Sequence, residues 1–495
     1  MKQLIIVLLM ALMQAAIAGA QTNSAEKPQP LVFKNVTIID VVNGKLKSGM
    51  FVLVAGNRIA GIGKKVIVPK DAKIIDASGK FLLPGLWDMH VHSLRAERVE
   101  TFFPLFIVNG VTGIRDMGAP LKSLSLLKQW RAEIAAGARI GPRIFAAGST
   151  LGGARPQNTF PAKNENEARH AVRTLRKEGA DFIKVYSLLP RALFFAAADE
   201  AKKQGITFSG HVPGSVSVLE ASDAGQKSME HLYGMLEACS SDEAEIRKEV
   251  EQAGENTDTW AAWGNIVRTT DRLYGMQELE KTFNAEKCRA VYRRFVKNKT
   301  RQCPTLVMRR ALAFRNDPAF TSDPRLKYFP MSESRGWNSP ADTRNANLTA
   351  QEIADRKIRL RKESEMTGEM KRAGVELLAG TDLGNPYIYP GFSLHDELEL
   401  LVEAGLSPLA ALQAATINPS RFLGNEMELG TVEQGKLADL VLLDANPLES
   451  ISNTKKINGV VVNGRFFDRG SLDKMLADAE AASSFSQTGW NFPEQ

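Results

Sequence analysis

The feature that most constrains the fold is an alternation of apolar, strand-like runs with helical patterns through residues 84–424. Helical patterns such as 191–204 and 215–224 separate most of the runs. Eight strand–helix units in one stretch predict an α/β fold, a (β/α)8 TIM barrel with insertions. The longest insertion, 311–348, is rich in Pro, Asn, Ser and Asp, and we expect it to be a surface excursion that can cover the barrel mouth. The eight strand candidates are 86–92, 110–115, 143–147, 182–186, 207–212, 228–233, 304–308 and 376–382.

Both ends of the chain are β-rich and differ from this middle region. Strand-like runs punctuated by Asn43-Gly44 occupy residues 31–83, and similar runs with Asn463-Gly464 recur after residue 425. Neither stretch is long enough for a large domain alone. We therefore predict a small β-sandwich domain formed by residues 21–83 and 425–495, the latter including a terminal helix at 472–482 and a loose tail.

The first twenty residues have the pattern of a signal peptide. Lys2 precedes an apolar run at 4–13, and Ala18-Gly19-Ala20 fits a small-x-small cleavage site. The apolar run is shorter than the roughly 20 residues that span a bilayer, and no cysteine stands near the cleavage point. The sequence predicts a signal peptide at 1–20, export to the periplasm or beyond the cell, and no membrane anchor after its removal.

The charge and the cysteine content limit the class of partner and the redox state that the sequence predicts. The net charge is +7, but the basic run at 356–372 also contains Glu363, Glu365 and Glu369, which is typical of a solvated helix face. Without a basic stripe on a recognised module, a nucleic-acid partner is not expected. The three cysteines are odd in number and lack CxxC spacing. They are interpreted as isolated thiols, with one disulfide left open in an oxidising compartment.

Two histidines end the first predicted strand of the middle region. In His90-Val91-His92, alternation along a strand turns both imidazoles to one side, so they can converge on one metal. Lys184 lies in an otherwise apolar strand, where a bare ammonium is costly to bury. It is either a lysine that snorkels from a strand end or a carbamate, formed with CO2, that bridges two metals.

Three further candidates end later strands. His211 lies at the end of the fifth predicted strand, His231 at the end of the sixth and Asp382 at the end of the eighth. Any one of them has an ordinary structural explanation, but barrel active sites lie at the carboxyl ends of the strands. Together with His90, His92 and Lys184 they predict a site for two divalent ions, and imidazole with carboxylate suits Zn2+. His170, in a polar helical pattern, is interpreted as a surface residue.

These motifs identify a family resemblance over nearly the whole chain after residue 20. The chain resembles the amidohydrolase superfamily, in its binuclear, carbamylated-lysine branch, and looks most similar to imidazolonepropionase-like and Xaa-Pro dipeptidase-like members. Besides the strand ends, the matching motifs are Pro84-Gly85-Leu86-Trp87-Asp88-Met89-His90-Val91-His92, Gly110-Val111-Thr112, Arg115-Asp116-Met117-Gly118, Gly391 with His395-Asp396-Glu397-Leu398, Ala415-Thr416-Ile417-Asn418-Pro419, Gly435-Lys436-Leu437-Ala438-Asp439-Leu440 and Asn463-Gly464.

The resemblance implies roles for the candidate ligands. His90 and His92 would hold the more buried metal with Asp382, His211 and His231 would hold the second, and carbamylated Lys184 would bridge them. A metal-bridging hydroxide would attack a polarised carbonyl. Asp382 would serve as the general base and then as the acid that protonates the leaving nitrogen.

Substrate contacts are predicted with less support from the pattern. Dipeptidase-like relatives commonly carry Gly-Gly-His after the third strand, whereas this chain has Gly152-Gly153-Ala154-Arg155. Arg155 is therefore a candidate clamp for a carboxylate or a solvated loop residue. Strand parity adds Tyr186 and Tyr233, and the resemblance adds His395. Arg115 is either structural or part of the mouth.

We therefore expect a metal-dependent hydrolase of carbon–nitrogen bonds that acts on small molecules or dipeptides. A cyclic amide hydrolase and an N-acyl amino acid hydrolase are the alternatives within enzymes. A non-catalytic small-molecule binding protein is a remote alternative outside them. A homo-oligomer remains open.

Overall fold

The computed structural model describes residues 29–153, 155–254, 259–275, 281–337 and 347–485. The predicted signal peptide at 1–20 lies outside the described residues. Seventeen strands occur within the described ranges, and they form three sheets. The strands are β1 Leu31–Ile39, β2 Leu46–Ala55, β3 Arg58–Gly63, β4 Lys73–Asp76, β5 Phe81–Pro84, β6 Leu86–Val91, β7 Val111–Asp116, β8 Arg143–Ala146, β9 Thr150–Leu151, β10 Thr159–Phe160, β11 Phe182–Val185, β12 Thr207–Gly210, β13 Ser228–Glu230, β14 Arg301–Cys303, β15 Leu440–Leu443, β16 Ile457–Val462 and β17 Arg465–Asp468.

The helices follow most of the strands of the middle region. They are α1 Ala96–Val108, α2 Ser123–Ala135, α3 Glu165–Lys177, α4 Arg191–Gln204, α5 Val218–Asp223, α6 Met235–Ala238, α7 Glu243–Ala253, α8 Thr259–Gly275, α9 Ala285–Asn298, α10 Leu306–Ala313, α11 Pro318–Thr321, α12 Met331–Gly336, α13 Ala350–Arg372, α14 Phe392–Glu403, α15 Pro408–Ala414, α16 Ile417–Leu423 and α17 Arg469–Phe485. Single 3-10 turns occupy Pro156–Asn158, Pro324–Tyr328 and Ile451–Lys455. No helix of the described ranges is long and apolar enough to cross a membrane.

The two ends of the chain meet in one eight-stranded sheet of order β17-β16-β15-β5-β1-β2-β3, with β4 beside β1. β15 pairs antiparallel with β5, and this pairing joins the amino-terminal strands to the carboxyl-terminal ones. The ladder is therefore continuous between the two ends, whereas the separate β-sandwich domain stays a prediction. Alternate apolar residues such as Phe33, Val52 and Leu440 form a buried cluster on this sheet.

The middle region contains two parallel sheets, β6-β7-β8 and β10-β9-β11-β12-β13-β14. Backbone hydrogen bonds connect these sheets to each other and to the 376–382 segment. Asp181 N–H, just before β11, donates to Ala146 O of β8 at 2.8 Å, and Met89 N–H of β6 donates to Ala379 O of that segment at 2.8 Å. The protein is thus a mixed α/β fold with parallel sheets. The carboxyl ends of β6, β11, β12 and β13 carry the predicted site residues.

Two of the eight predicted strands differ in the structure. The stretch 304–308 is not a strand, because β14 stops at Cys303 and α10 starts at Leu306. Pro304 has no N–H for a ladder, and Thr305 adopts a left-handed φ of 52°. The stretch 376–382 is not a regular strand: Leu377 forms an isolated bridge with Gln302, and Asp382 N–H donates to His90 O at 2.8 Å.

Insertions and thiols complete the fold. Cys239, at the end of α6, forms a disulfide with Cys288 in α9, and Cys303 is a free, buried thiol. The open disulfide alternative is therefore the correct one for two of the three cysteines. The described part of the 311–348 insertion is not purely a surface excursion, since Trp337 is buried with its ring centroid 5.0 Å from that of Phe329.

Candidate metal and catalytic site

The predicted ligands converge at one edge of the parallel sheets. His90 lies in β6 with His92 just beyond it, Lys184 lies in β11, and His211 and His231 immediately follow β12 and β13. Of the set, His90 and Lys184 are fully inaccessible to solvent, whereas the His92 side chain retains 29% of its exposure. The order of the parallel strands therefore brings together residues that are far apart in the sequence, such as His90 and His231, which are separated by 141 positions.

Asp382 stands at the centre of this group. One carboxylate oxygen, Oδ1, lies 3.3 Å from His90 Nε2 and 3.3 Å from His92 Nε2, and Oδ2 lies 3.7 Å from His231 Nε2. Its backbone has a positive φ of 58°, a conformation that Asp tolerates better than most residues. Burial by itself raises the pKa of Asp382, but His231 and His90 hold it well below its usual range. Asp382 is thus a carboxylate at neutral pH.

Each of the four histidines has its Nδ1 engaged by the protein. His90 Nδ1 contacts Glu230 Oε2 at 3.0 Å, and His92 Nδ1 contacts Gly118 O at 3.1 Å. His211 Nδ1 contacts the Ser187 hydroxyl and His231 Nδ1 the Thr305 hydroxyl, both at 2.7 Å. Partners of this kind orient the ring of a metal-ligating histidine and leave Nε2 for the ion.

Two buried nitrogen atoms in the cluster, His90 Nε2 and Lys184 Nζ, make no hydrogen bond within the described ranges. Burial lowers the pKa of Lys184 to about 8, against the opposing attraction of Glu230 and Asp382. Burial likewise lowers the pKa of His90 to about 4 and keeps the imidazole neutral. Neutral imidazoles, a carboxylate and a readily deprotonated amine fit a divalent cation site, and the ligand atoms of His90, His231 and Asp382 all lie within 4.8 Å of one another.

The floor of the site is a hydrogen-bonded group that the sequence analysis did not assign. Glu230 accepts from Arg115 at 2.9 Å and from Ser228 at 2.5 Å, while Arg115 also donates to Met89 O at 2.6 Å. Burial opposes ionisation of Glu230, but Arg115 and His90 lower its pKa. Arg115 is fully buried, so its role is structural, and it does not line the mouth.

Asp88 is a second carboxyl beneath the cluster. It accepts from Thr381 N–H at 3.0 Å, from the Thr381 hydroxyl at 2.7 Å and from His90 N–H at 3.2 Å. Burial raises the pKa of Asp88 to about 7 despite these donors. Asp88 therefore ties Thr381, the residue before Asp382, to β6.

A pocket of about 1050 Å3, including its open mouth, leads to the cluster. Three of the four predicted substrate contacts, Arg155, Tyr186 and Tyr233, line it together with His92, His211, His231 and Asp382. Tyr233 lines the pocket, but not for the predicted reason. The alternation of side chains along a strand does not continue to Tyr233, because His231 and Leu232 have left-handed φ values of 62° and 55°.

His395 is not among the residues of this pocket, and its predicted substrate contact is corrected. The ring is buried, with Nδ1 3.0 Å from the Thr454 hydroxyl and Nε2 3.1 Å from Asn109 O. Both nitrogen atoms are thus used to join α14 to neighbouring segments. His170 is exposed on α3, as predicted.

Several pocket and floor residues escaped the sequence analysis. Asp88 shares the face of His90 and His92 by the same alternation, and this signal could have found it. Because Glu230 is next to His231 in the sequence, the alternation of side chains along a strand predicts that Glu230 faces away from the site. Trp263 and Arg309 lie on helices with no local pattern that marks a pocket wall.

A parallel-sheet α/β protein with histidine, lysine and aspartate at the strand ends has the architecture of a metal-dependent hydrolase. Residues 81–467 match the model of the amidohydrolase family, and the chain belongs to that family.

Individual relatives place this membership in context. A bottromycin amidohydrolase is similar in structure, with a TM-score of 0.69 and 26% identity over 95% of this chain and 94% of that one. A Xaa-Pro dipeptidase with bound methionine in its active site has a TM-score of 0.63 and 21% identity over 89% of this chain and all of that one, a likeness of fold alone. Ochratoxinase from Aspergillus niger is 34% identical over 113 residues, which are 22% of this chain and 22% of that protein. The chain thus matches only about a fifth of the length of such curated relatives.

Proposed function

We propose that this protein is a binuclear, metal-dependent amidohydrolase that cleaves a dipeptide or an N-acyl amino acid. The observation that carries the proposal is the cluster of four histidines, each with Nδ1 engaged by the protein, around the Asp382 carboxylate and the buried Lys184 amine. We also propose that the two parallel sheets and the 376–382 segment form one (β/α)8 barrel. The backbone hydrogen bonds between their edges support this.

The residues divide into two ligand groups under this proposal. His90, His92 and Asp382 would hold one ion, and His211 with His231 would hold the other. Lys184 would join both as a carbamate, since a buried amine with a pKa of about 8 has an appreciable neutral fraction that can react with CO2. When bound, two divalent ions supply the positive charge that acidifies a water molecule and polarises the scissile carbonyl.

Asp382 performs the proton transfer. Its carboxylate is ionised at neutral pH, so it can accept the proton of the water whose oxygen attacks the carbonyl carbon. The same proton then passes from Asp382 to the amide nitrogen as the C–N bond breaks. The second proton of the water also passes to this nitrogen, so the products are a carboxylate and an ammonium group. Because burial raises the pKa of Tyr233, its phenol stays protonated and can donate to the substrate oxygen.

A carboxylated substrate is favoured by the cations of the mouth. Arg95, Arg98 and Arg155 line the pocket on the side of the loops that follow β6 and β9. Arg98 is paired with Glu333 at 2.7 Å. Arg155 is exposed and immediately precedes the 3-10 turn Pro156–Asn158. A guanidinium at this place can bind a substrate carboxylate through two parallel hydrogen bonds.

We further propose that the protein acts in an exported compartment. The Cys239–Cys288 disulfide supports this, since such bonds persist in oxidising surroundings and are rare in the cytosol.

The proposal is tested with a panel of dipeptides and N-acyl amino acids, assayed with protein loaded with Zn2+ in bicarbonate buffer. We expect turnover of carboxylated amides by the wild type and an increase in KM, more than a decrease in kcat, in Arg155→Ala. The matching amides with the carboxylate esterified should be poor substrates. Tight binding of the panel without any turnover by the metal-loaded protein would instead identify a non-catalytic binding protein.

A further inference from the structure

The segment between Cys239 and Cys288 contributes to the pocket without supplying any candidate metal ligand. It lies between β13 and α9 and contains α7 and α8, and the disulfide joins its two ends across 49 positions. Helix α8 contributes Trp263 and Val267 to the pocket wall. Both side chains are almost completely buried.

Trp263 completes an aromatic wall around His211. Its ring centroid lies 5.4 Å from that of Tyr186, 5.7 Å from that of Tyr233 and 5.6 Å from that of His211. Met308 and Leu312, from α10, line the same pocket and extend the apolar surface. Aromatic rings at these separations prefer tilted and edge contacts, so a further planar group can pack among them favourably.

The position of Trp263 is fixed by buried ion pairs on its own helix. Asp271 accepts from Arg356 at 2.9 Å and from Arg359 at 2.7 Å, and these pairs tie α8 to α13. Arg309 packs its guanidinium 4.9 Å from the Tyr233 ring centroid and donates to His231 O at 2.9 Å. The aromatic wall is thus preorganised before a ligand arrives.

The pocket is divided in its chemistry. The elements that follow β6 and β9 supply Arg95, Arg98 and Arg155. The elements that follow β11, β13 and β14 supply the aromatic and apolar residues together with one cation, Arg309, whose charge is compensated by the buried Glu363 at 2.9 Å. A ligand that fills such a pocket carries an anionic group at one end and a large apolar group at the other.

We propose that Trp263 is a specificity-determining residue that selects substrates with an aromatic side chain next to the scissile amide. The inference rests on the proposed function, because it names the substrate class of that same site. The carboxylate lies on the arginine side, and the aromatic group packs against Trp263, Tyr186 and Tyr233.

The kinetic test compares three dipeptides, Ala-Ala, Phe-Ala and Ala-Phe, which place the aromatic group on neither side or on either side of the amide. We expect one phenylalanine-containing dipeptide to exceed Ala-Ala in kcat/KM. In Trp263→Ala that ratio should fall at least about tenfold, mainly through KM. Trp263→Phe should retain most of the preference, because it keeps a ring. A ratio unchanged in Trp263→Ala would overturn the proposal.

Binding of carboxylates that cannot be hydrolysed separates this proposal from the proposed function. Calorimetry with 3-phenylpropanoate and propanoate should show tighter binding of the aromatic acid to the metal-loaded protein, and Trp263→Ala should abolish that difference. If no amide is turned over but this difference is found and lost as expected, the proposed function fails and the selectivity of Trp263 stands. Equal binding of the two acids to the wild type would contradict the selectivity, whatever the turnover.

A matched control replaces a tryptophan outside the pocket. Trp130 is buried on α2 with its ring centroid 6.2 Å from that of Phe103, and it does not line the pocket. Trp130→Ala should leave the dipeptide ratio of the folded protein at the wild-type value. A fall in that ratio equal to the fall in Trp263→Ala would show that loss of a tryptophan acts through general destabilisation, and the proposal would be wrong.

Discussion

Two groups of buried charge lie close together in this protein and differ in how they are paired. In the ion network of α8, α10 and α13, Asp271 and Glu363 each contact two of the three guanidinium groups of Arg309, Arg356 and Arg359 at 2.7 to 2.9 Å. In the candidate metal cluster, Lys184 Nζ and His90 Nε2 make no hydrogen bond within the described residues, and His90 Nε2 lies 3.3 Å from Asp382 Oδ1. Buried guanidinium and carboxylate groups that pair with one another hold helices together, whereas a buried amine and imidazoles gathered around one carboxylate indicate a place for a cation.

The same contrast separates histidines of equal burial. His395 uses both ring nitrogens, with Thr454 and Asn109 as partners. His90 hydrogen-bonds through Nδ1 to Glu230, while its Nε2 makes no hydrogen bond within the described residues and faces Asp382 Oδ1 at 3.3 Å. Burial alone therefore does not identify a functional histidine, whereas a ring nitrogen that faces a shared carboxylate does.

The first prediction replaces one aspartate in each group. Asp382→Asn removes the proton acceptor, and we expect kcat to fall about 10²- to 10⁴-fold. Asp271→Asn leaves Arg356 and Arg359 buried without their carboxylate, and we expect the free energy of unfolding to fall by about 3–5 kcal/mol. Steady-state kinetics and denaturant titration of both variants measure the two effects.

The comparison is contradicted if Asp271→Asn lowers kcat and Asp382→Asn lowers the free energy of unfolding instead. A stable Asp271→Asn protein with lost kcat would place the network in the chemistry. Where Asp271→Asn does not fold, Glu363→Gln provides the same test, because Glu363 contacts Arg309 and Arg359 in the same network.

The second prediction concerns the disulfide between Cys239 and Cys288. The Cys239–Cys288 bond closes a loop of 49 positions, for which chain entropy gives a stabilisation of about 4 kcal/mol. The double variant Cys239→Ser, Cys288→Ser should lose about that much free energy of unfolding. Reductant should destabilise the wild type equally and leave the double variant unaffected. Equal reductant sensitivity of both proteins would assign the effect to another site.

The third prediction concerns how the stability of the protein depends on pH through His395, whose two ring nitrogens both have protein partners. Burial lowers the pKa of His395 to about 4 from the ordinary value of 6.5. The unfolded chain therefore binds the proton more tightly, so stability is present above pH 6.5 and is lost as pH falls towards 4. This linkage amounts to about 3 kcal/mol.

The comparison is made with His395→Gln, whose free energy of unfolding should decline less between pH 7 and pH 4.5 than that of the wild type. His170→Gln, which alters an exposed histidine on α3, serves as the control and should keep the wild-type pH dependence. If His395→Gln and the wild type lose stability in parallel over this range, the assigned cause is wrong.

Much of the site was predictable because the relevant signals are local. His90-Val91-His92 and the apolar runs that precede Lys184, His211 and Asp382 mark strand ends, and parallel strands bring their ends to one edge. The helix α4 has the predicted bounds for a similar reason, since it starts after Pro190 and its carboxyl end is capped by Gly205 with a φ of 61°.

The remaining features depend on contacts between distant residues. Glu397 accepts from Val307 N–H at 2.7 Å across 90 positions and so stabilises the start of α10, where an apolar run had predicted a strand. Trp263 reaches the pocket because α8 is tied to α13 by Asp271. The strand ladder between β5 and β15 joins residues about 360 positions apart, which no local pattern encodes.

The central claim is that the candidate metal cluster holds two divalent ions with Lys184 between them. Its most direct test is the metal content per chain, measured by mass spectrometry on active protein and on Lys184→Ala, both prepared with Zn2+ and bicarbonate. We predict two ions per wild-type chain, and in Lys184→Ala a clear loss of metal together with activity. Fewer than one ion per chain in fully active protein, or two ions and full activity in Lys184→Ala, would contradict the claim.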